Sequence, residues 1–87
     1  MMMTIYMERK EINTKNDFQK FMEEIIFDFK NNKSSWENNN LKLFLEATLE
    51  YYRDIDGFYN NMNIKIDSEI PTWQLFADII TGAKYYE

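Results

Sequence analysis

Carboxylates are the residues of this chain whose type and spacing could do chemistry. His and Cys are both absent. Without His the commonest general base and proton shuttle is missing. Without either, no zinc site with nitrogen or sulfur ligands can be built. There is no G-x-S-x-G nucleophile elbow, and two glycines cannot make a loop that cradles phosphate. The run that suggests a cation is Asp54-Ile55-Asp56-Gly57. An EF-hand calcium loop needs Gly at its sixth position and Glu at its twelfth. Counted from Asp54, those positions hold Tyr59 and Lys65. The motif fails, and the two aspartates read as solvated groups near a helix end. The sequence assigns no catalytic residue, no cofactor and no metal.

Glu46, Glu50 and Asp54 follow one another at intervals of four, which lines them up on one side of a helix. Like charges so spaced destabilise an isolated helix by a few tenths of a kcal/mol each, and Lys42 and Arg53 offset part of that. The ordinary reading of such a ridge is a solvated face. The sharper reading is a surface that meets a basic partner, where opposed potentials speed encounter. Paired carboxylates can also hydrolyse glycosides, but a helical chain of 87 residues has little room for a sugar cleft. Phe27, Tyr51, Tyr85 and Tyr86 are the aromatics least accounted for by apolar stripes. They either fold onto the core or anchor an interface beside the acids. The candidate partner-binding set is Phe27, Glu46, Glu50, Tyr51, Asp54 and Asp56.

These side chains need a scaffold, and Leu41 to Met62 is the longest segment with one apolar period. Leu41, Phe44, Leu45, Thr48, Leu49, Tyr52, Ile55, Tyr59 and Met62 recur at spacings of three and four. Asn40 is placed to cap this helix. Gly57 could end it and leave DGFYNN as a turn. The apolar phase runs on through Phe58, Tyr59 and Met62, however, so one helix crossing Gly57 is expected, at about 1 kcal/mol. The other segments are expected to gather around this central helix.

Ahead of it, Phe18, Phe21, Met22, Ile25 and Phe29 form a stripe, with Phe27 on the opposite side. Asn16 and Gln19 suit a capping box. Lys30 to Ser35 reads as a loop, and Trp36-Glu37-Asn38 as a segment that folds back onto the core. Residues 1–13 read as a short helix behind Thr4, with Ile5, Tyr6, Arg9 and Ile12 on one side, or as an arm. After a connector from Asn63 to Ile70, Pro71 and Thr72 open a last helix. Its stripe is Trp73, Phe76, Ala77, Ile80 and Ala83, with Trp36 and Trp73 both expected in the core. The expected architecture is all-α: one domain over residues 1–87, with a core at 14–87, three main helices and a short N-terminal one.

Composition bounds the function. Hydrophobic residues make up 45% and aromatics 17% of the chain, too much apolar material for a disordered segment. Residues 36–87 carry four basic and nine acidic side chains, so they hold the whole net charge of −5. That sign disfavours direct contact with nucleic acid and with an anionic membrane. No apolar run reaches the ~20 residues of a membrane span. MMMTIYMERK lacks the layout of a secretion signal, which favours a cytoplasmic protein.

WEN at 36–38, LFLEA at 43–47, DIDGFYNN at 54–61, PTWQLFAD at 71–78 and the final YE resemble a family of small bacterial proteins of unknown function. Phe58 stands where that family's pattern has Tyr. The resemblance implies a compact helical domain and no established activity. The function expected from the residues is a non-enzymatic module that binds a basic protein, in the manner of an immunity protein or antitoxin. The alternatives are an acidic decoy that blocks a nucleic-acid-binding enzyme, and a small enzyme using carboxylates or a metal held by Asp54 and Asp56. A homodimer would serve to cover Leu43 and Phe27.

Overall fold

A computed structural model describes residues 11–86. Three α-helices follow in order: α1 (Lys15–Asn32), α2 (Leu41–Asn61) and α3 (Trp73–Tyr85). A single 3-10 turn, Lys33–Ser35, follows α1 directly. No strand occurs among the described residues. Of the short helix expected within residues 1–13, residues 1–10 lie outside them, and residues 11–13 are not helical.

Side chains set the helix ends. Thr14, not Asn16, caps α1: its Oγ1 accepts from the Asp17 amide at 3.0 Å. The Asp17 carboxylate in turn accepts from the Asn13 amide at 3.0 Å. This places an acid in the first turn, where the helix dipole favours it. The box is therefore Thr14 with Asp17, two residues before the Asn16–Gln19 pair. At the other end α1 runs through Asn32, and Lys30 to Ser35 is mostly helical rather than a loop. Asn40 caps α2 through the Leu43 amide at 2.9 Å, and Thr72 caps α3 through the Leu75 amide at 3.1 Å, as their positions indicated.

Gly57 does not break α2. Its missing side chain faces open space, so the glycine costs only its propensity. The helix ends four residues later. Asn63 takes a left-handed φ of 55°. The Ile64 amide reaches back to the Tyr59 carbonyl at 2.8 Å, and the Asn63 amide to Asn60 at 3.1 Å. This is a Schellman stop with asparagine in the position glycine usually fills. It turns Ile64 and Ile66 back against the cluster of Ile55, Tyr59 and Leu75. Ile55, with no exposed surface, contributes about 1.5–3 kcal/mol by burial alone.

Two expectations about packing are corrected. The element that both other helices pack on is α3, not α2. WQLFADIITGAKY has few charges and is buried on several sides: Leu75, Ala77, Asp78, Gly82 and Ala83. A helix that is apolar nearly all round belongs in the middle. The stripes of α2 and α3 are also rotated from their expected centres. On α3, Trp73 and Phe76 are partly exposed, and they stack with Phe18 of α1 at 5.5 and 6.4 Å between centroids. Trp73 therefore lies on a seam rather than in the core. On α2 the buried side runs through Ala47, Ile55 and Tyr59, with Phe44, Thr48, Tyr51 and Phe58 half-buried. Leu41, Leu45, Leu49, Tyr52 and Met62, expected in the core stripe, are exposed.

The WEN segment joins the helices. Trp36 is buried, and its ring sits 5.0 Å from Phe29 and 6.1 Å from Phe44. Its Nε1 donates to Asp28 at 2.7 Å. Asp28 also pairs with Lys84, whose ammonium lies over the Trp36 ring at 5.3 Å. Asn38 donates through its side-chain amide to the Ala83 and Tyr86 carbonyls, while the Glu37 and Asn38 backbone amides donate to the Lys84 carbonyl. The last turn of α3 thus finds its hydrogen-bond partners in this segment instead of water.

Candidate interaction surface

The acid ridge is where helical spacing put it. Glu46, Glu50 and Asp54 are exposed and lie one turn apart along one flank of α2, with Asp54 reaching Tyr86 at the end of α3. Leu43, at 39% exposure, shares that face. Each carboxylate has a local partner. Lys42 Nζ meets Glu46 Oε2 at 2.9 Å and Arg53 Nη1 meets Glu50 Oε2 at 2.9 Å. Exposed pairs of this kind are worth about 0–1 kcal/mol, so an incoming cation can replace either at little cost. The Tyr86 hydroxyl donates to Asp54 Oδ2. That bond, followed by burial and by the charges of Asp54 and Glu50, raises the phenol pKa above its ordinary 10.0.

The remaining candidates are not brought into one site. Tyr51 is half-buried. Its ring lies against Gly82, 6.2 Å from Phe58 and 5.4 Å from Tyr86. It holds the C-terminal tail, and the aromatic that reaches the acids is Tyr86. Asp56 is exposed, but helical phase sets it on the flank of α2 opposite Glu50. Phe27 is 66% exposed on α1, a helix that leans on α3 rather than on the ridge. The sequence raised Tyr86 as an aromatic beside the acids and Leu43 as exposed apolar surface, but neither stood in the candidate partner-binding set. The signal for Tyr86 was Gly82, four residues earlier, which clears room for the Tyr51 ring beneath the tail.

Two other features bear on chemistry. No group of three or more acidic side chains among the described residues could hold a metal ion. Asp78 is buried on α3 and accepts from the Tyr59 hydroxyl at 2.7 Å and Gln74 Nε2 at 3.0 Å. Gln74 Oε1 in turn accepts from the Ile12 amide. This network ties the residues before α1 to the α2–α3 seam. An open cleft beside it is lined by Ile12, Ile66, Ile70, Trp73 and Phe76, and its half-buried Gln74 is already engaged in the network. No helix among the described residues is long and apolar enough to cross a membrane.

No curated protein and no solved structure matches this chain. Residues 14–87 match the family described as a family of unknown function, DUF7660. That span contains the three helices, the WEN joint and the Asp54–Tyr86 contact, and the chain belongs to that family.

Proposed function

We propose that this protein is a non-enzymatic binding module whose α2 acid face receives a basic surface on another protein. The observation that carries the reading is the alignment of three exposed carboxylates along one flank of α2, around a partly exposed leucine. A rigid helix presents them, so little ordering entropy is lost on binding. Their ion pairs are exposed and exchangeable. Leu43 supplies the apolar contact that charges alone lack. An inhibitor of the immunity or antitoxin kind uses such a face to occlude a basic functional surface.

Parallel affinity columns carrying the wild type and the double variant Glu50→Lys, Asp54→Lys test the proposal. A partner should be retained by the first, released by salt, and absent from the second. Equal retention on both columns would remove the acid face from the account.

A further inference from the structure

We infer that a second copy of this chain covers the other exposed face of α2, with the two α2 helices pairing antiparallel about a twofold axis at Leu49. The apolar part of that face is Leu41, Leu45 and Leu49, 72%, 57% and 52% exposed, continued by Tyr52. These residues follow at intervals of four, four and three, one ridge along the helix. Isolated exposed leucines are ordinary, but an aligned row on one helix marks an interaction surface. Helical phase places this ridge on the flank of α2 opposite Glu50 and Asp54; Glu46 borders both surfaces, so Glu50, Asp54 and Leu43 are the part of the acid face left open when the ridge is covered.

The charges bordering the ridge name the occupant. Lys42, Leu49 and Asp56 stand on one line, seven residues apart, and Glu46 and Arg53 stand on the neighbouring line, also seven apart. Read along α2 the signs are plus, minus, Leu49, plus, minus. Reversing the helix about Leu49 exchanges every sign. An antiparallel copy therefore sets Lys42 against the other copy's Asp56, and Glu46 against its Arg53. Leu49 meets Leu49 at the axis, and Leu45 meets Tyr52. Parallel pairing would put like charges together. A twofold interface must be complementary to itself, and this pattern is. All four charged side chains are exposed, and the Lys42–Glu46 and Arg53–Glu50 pairs within one chain are weak enough to be shared or exchanged across the axis. A seam of one helix per copy sits at the small end of standard interfaces, so the dimer is expected to dissociate in the micromolar range, on the order of 1–100 μM.

Sedimentation equilibrium on the purified chain tests this. The wild type should dimerise reversibly. Leu45→Asp should be monomeric with an unchanged melting temperature, because Leu45 supports no core. Glu46→Arg should weaken the dimer about ten-fold by setting two arginines against each other across the axis twice. Adding Arg53→Glu to that variant should restore it. A wild type monomeric up to about 1 mM overturns the proposal, as does a dimer indifferent to Leu45→Asp. Failure of the double variant to recover overturns the antiparallel register. Leu45→Asp leaves Glu46, Glu50, Asp54 and Arg53 unchanged, so partner retention by that variant reads the acid face separately from the dimer.

Discussion

The two glycines predict opposite responses to the same substitution. A methyl at Gly57 meets no atom and faces solvent in mid-helix. Gly57→Ala should stabilise the protein by about 0.5–1 kcal/mol through helix propensity and a less disordered unfolded chain. A methyl at Gly82 would overlap the Tyr51 ring. Overpacking costs about 1–3 kcal/mol, against a propensity gain of up to ~1 kcal/mol. With the full propensity gain taken off, Gly82→Ala should therefore destabilise by up to about 2 kcal/mol. The remedy is specific: Tyr51→Ala in the Gly82→Ala background should cost less than Tyr51→Ala does in the wild type, because the clash disappears with the ring. Urea unfolding followed by circular dichroism resolves these differences. In a chain of this size 1 kcal/mol moves the melting temperature by roughly 4–8 °C. If Gly82→Ala were as stabilising as Gly57→Ala, the close approach of α2 to α3 at Tyr51 would be wrong, and the placement of Tyr86 beside Asp54 would go with it.

Two further outcomes follow from the WEN joint. Asn38→Ala strands the Ala83 and Tyr86 carbonyls and should cost about 1–3 kcal/mol, with faster amide exchange confined at first to the last turn of α3. Burial pushes the Asp28 carboxyl up, but hydrogen bonds from Lys84, Trp36 and Asn32 outweigh it and hold the pKa below the ordinary 3.8. Its contribution is thus present above the ordinary 3.8 and lost as pH falls from there through the lowered pKa. Burial likewise lowers Lys84, yet its bonds to Asp28 and Tyr85 leave its pKa above 10.5, so its share is lost only as pH rises past that value. Asp28→Asn should flatten the acid limb of a stability–pH curve and cost about 1–3 kcal/mol at neutral pH, and an unchanged acid limb would contradict the pairing.

The helices were legible because their punctuation is local. Asn40, Thr72 and the continued phase past Gly57 are decided by neighbours within one turn. Which helix is central was harder to read. Leu41–Asn61 has the longest period and looked like the organising element, whereas α3 is short and has no clean stripe because it is covered on several sides. The rotation of α2 was hidden for a related reason. Its buried side contains Ala47 and Tyr51, a small residue and a polar aromatic, while the leucines beside it draw the eye. Only the approach of α3 at Gly82 shows that Ala47 and Tyr51 face inward. The acids of the candidate surface were readable from spacing alone, since exposure is what charged residues at that spacing adopt by default. The contribution of Tyr86 was not, because it depends on a contact between residues 32 positions apart.

The claim that this protein works through the acid face of α2 is tested most directly by the salt dependence of the association rate with the captured partner, measured by stopped-flow for the wild type and for Glu50→Lys, Asp54→Lys. The account predicts a rate that falls steeply with ionic strength for the wild type and a slower, much flatter one for the variant. Identical slopes for the two proteins would contradict it.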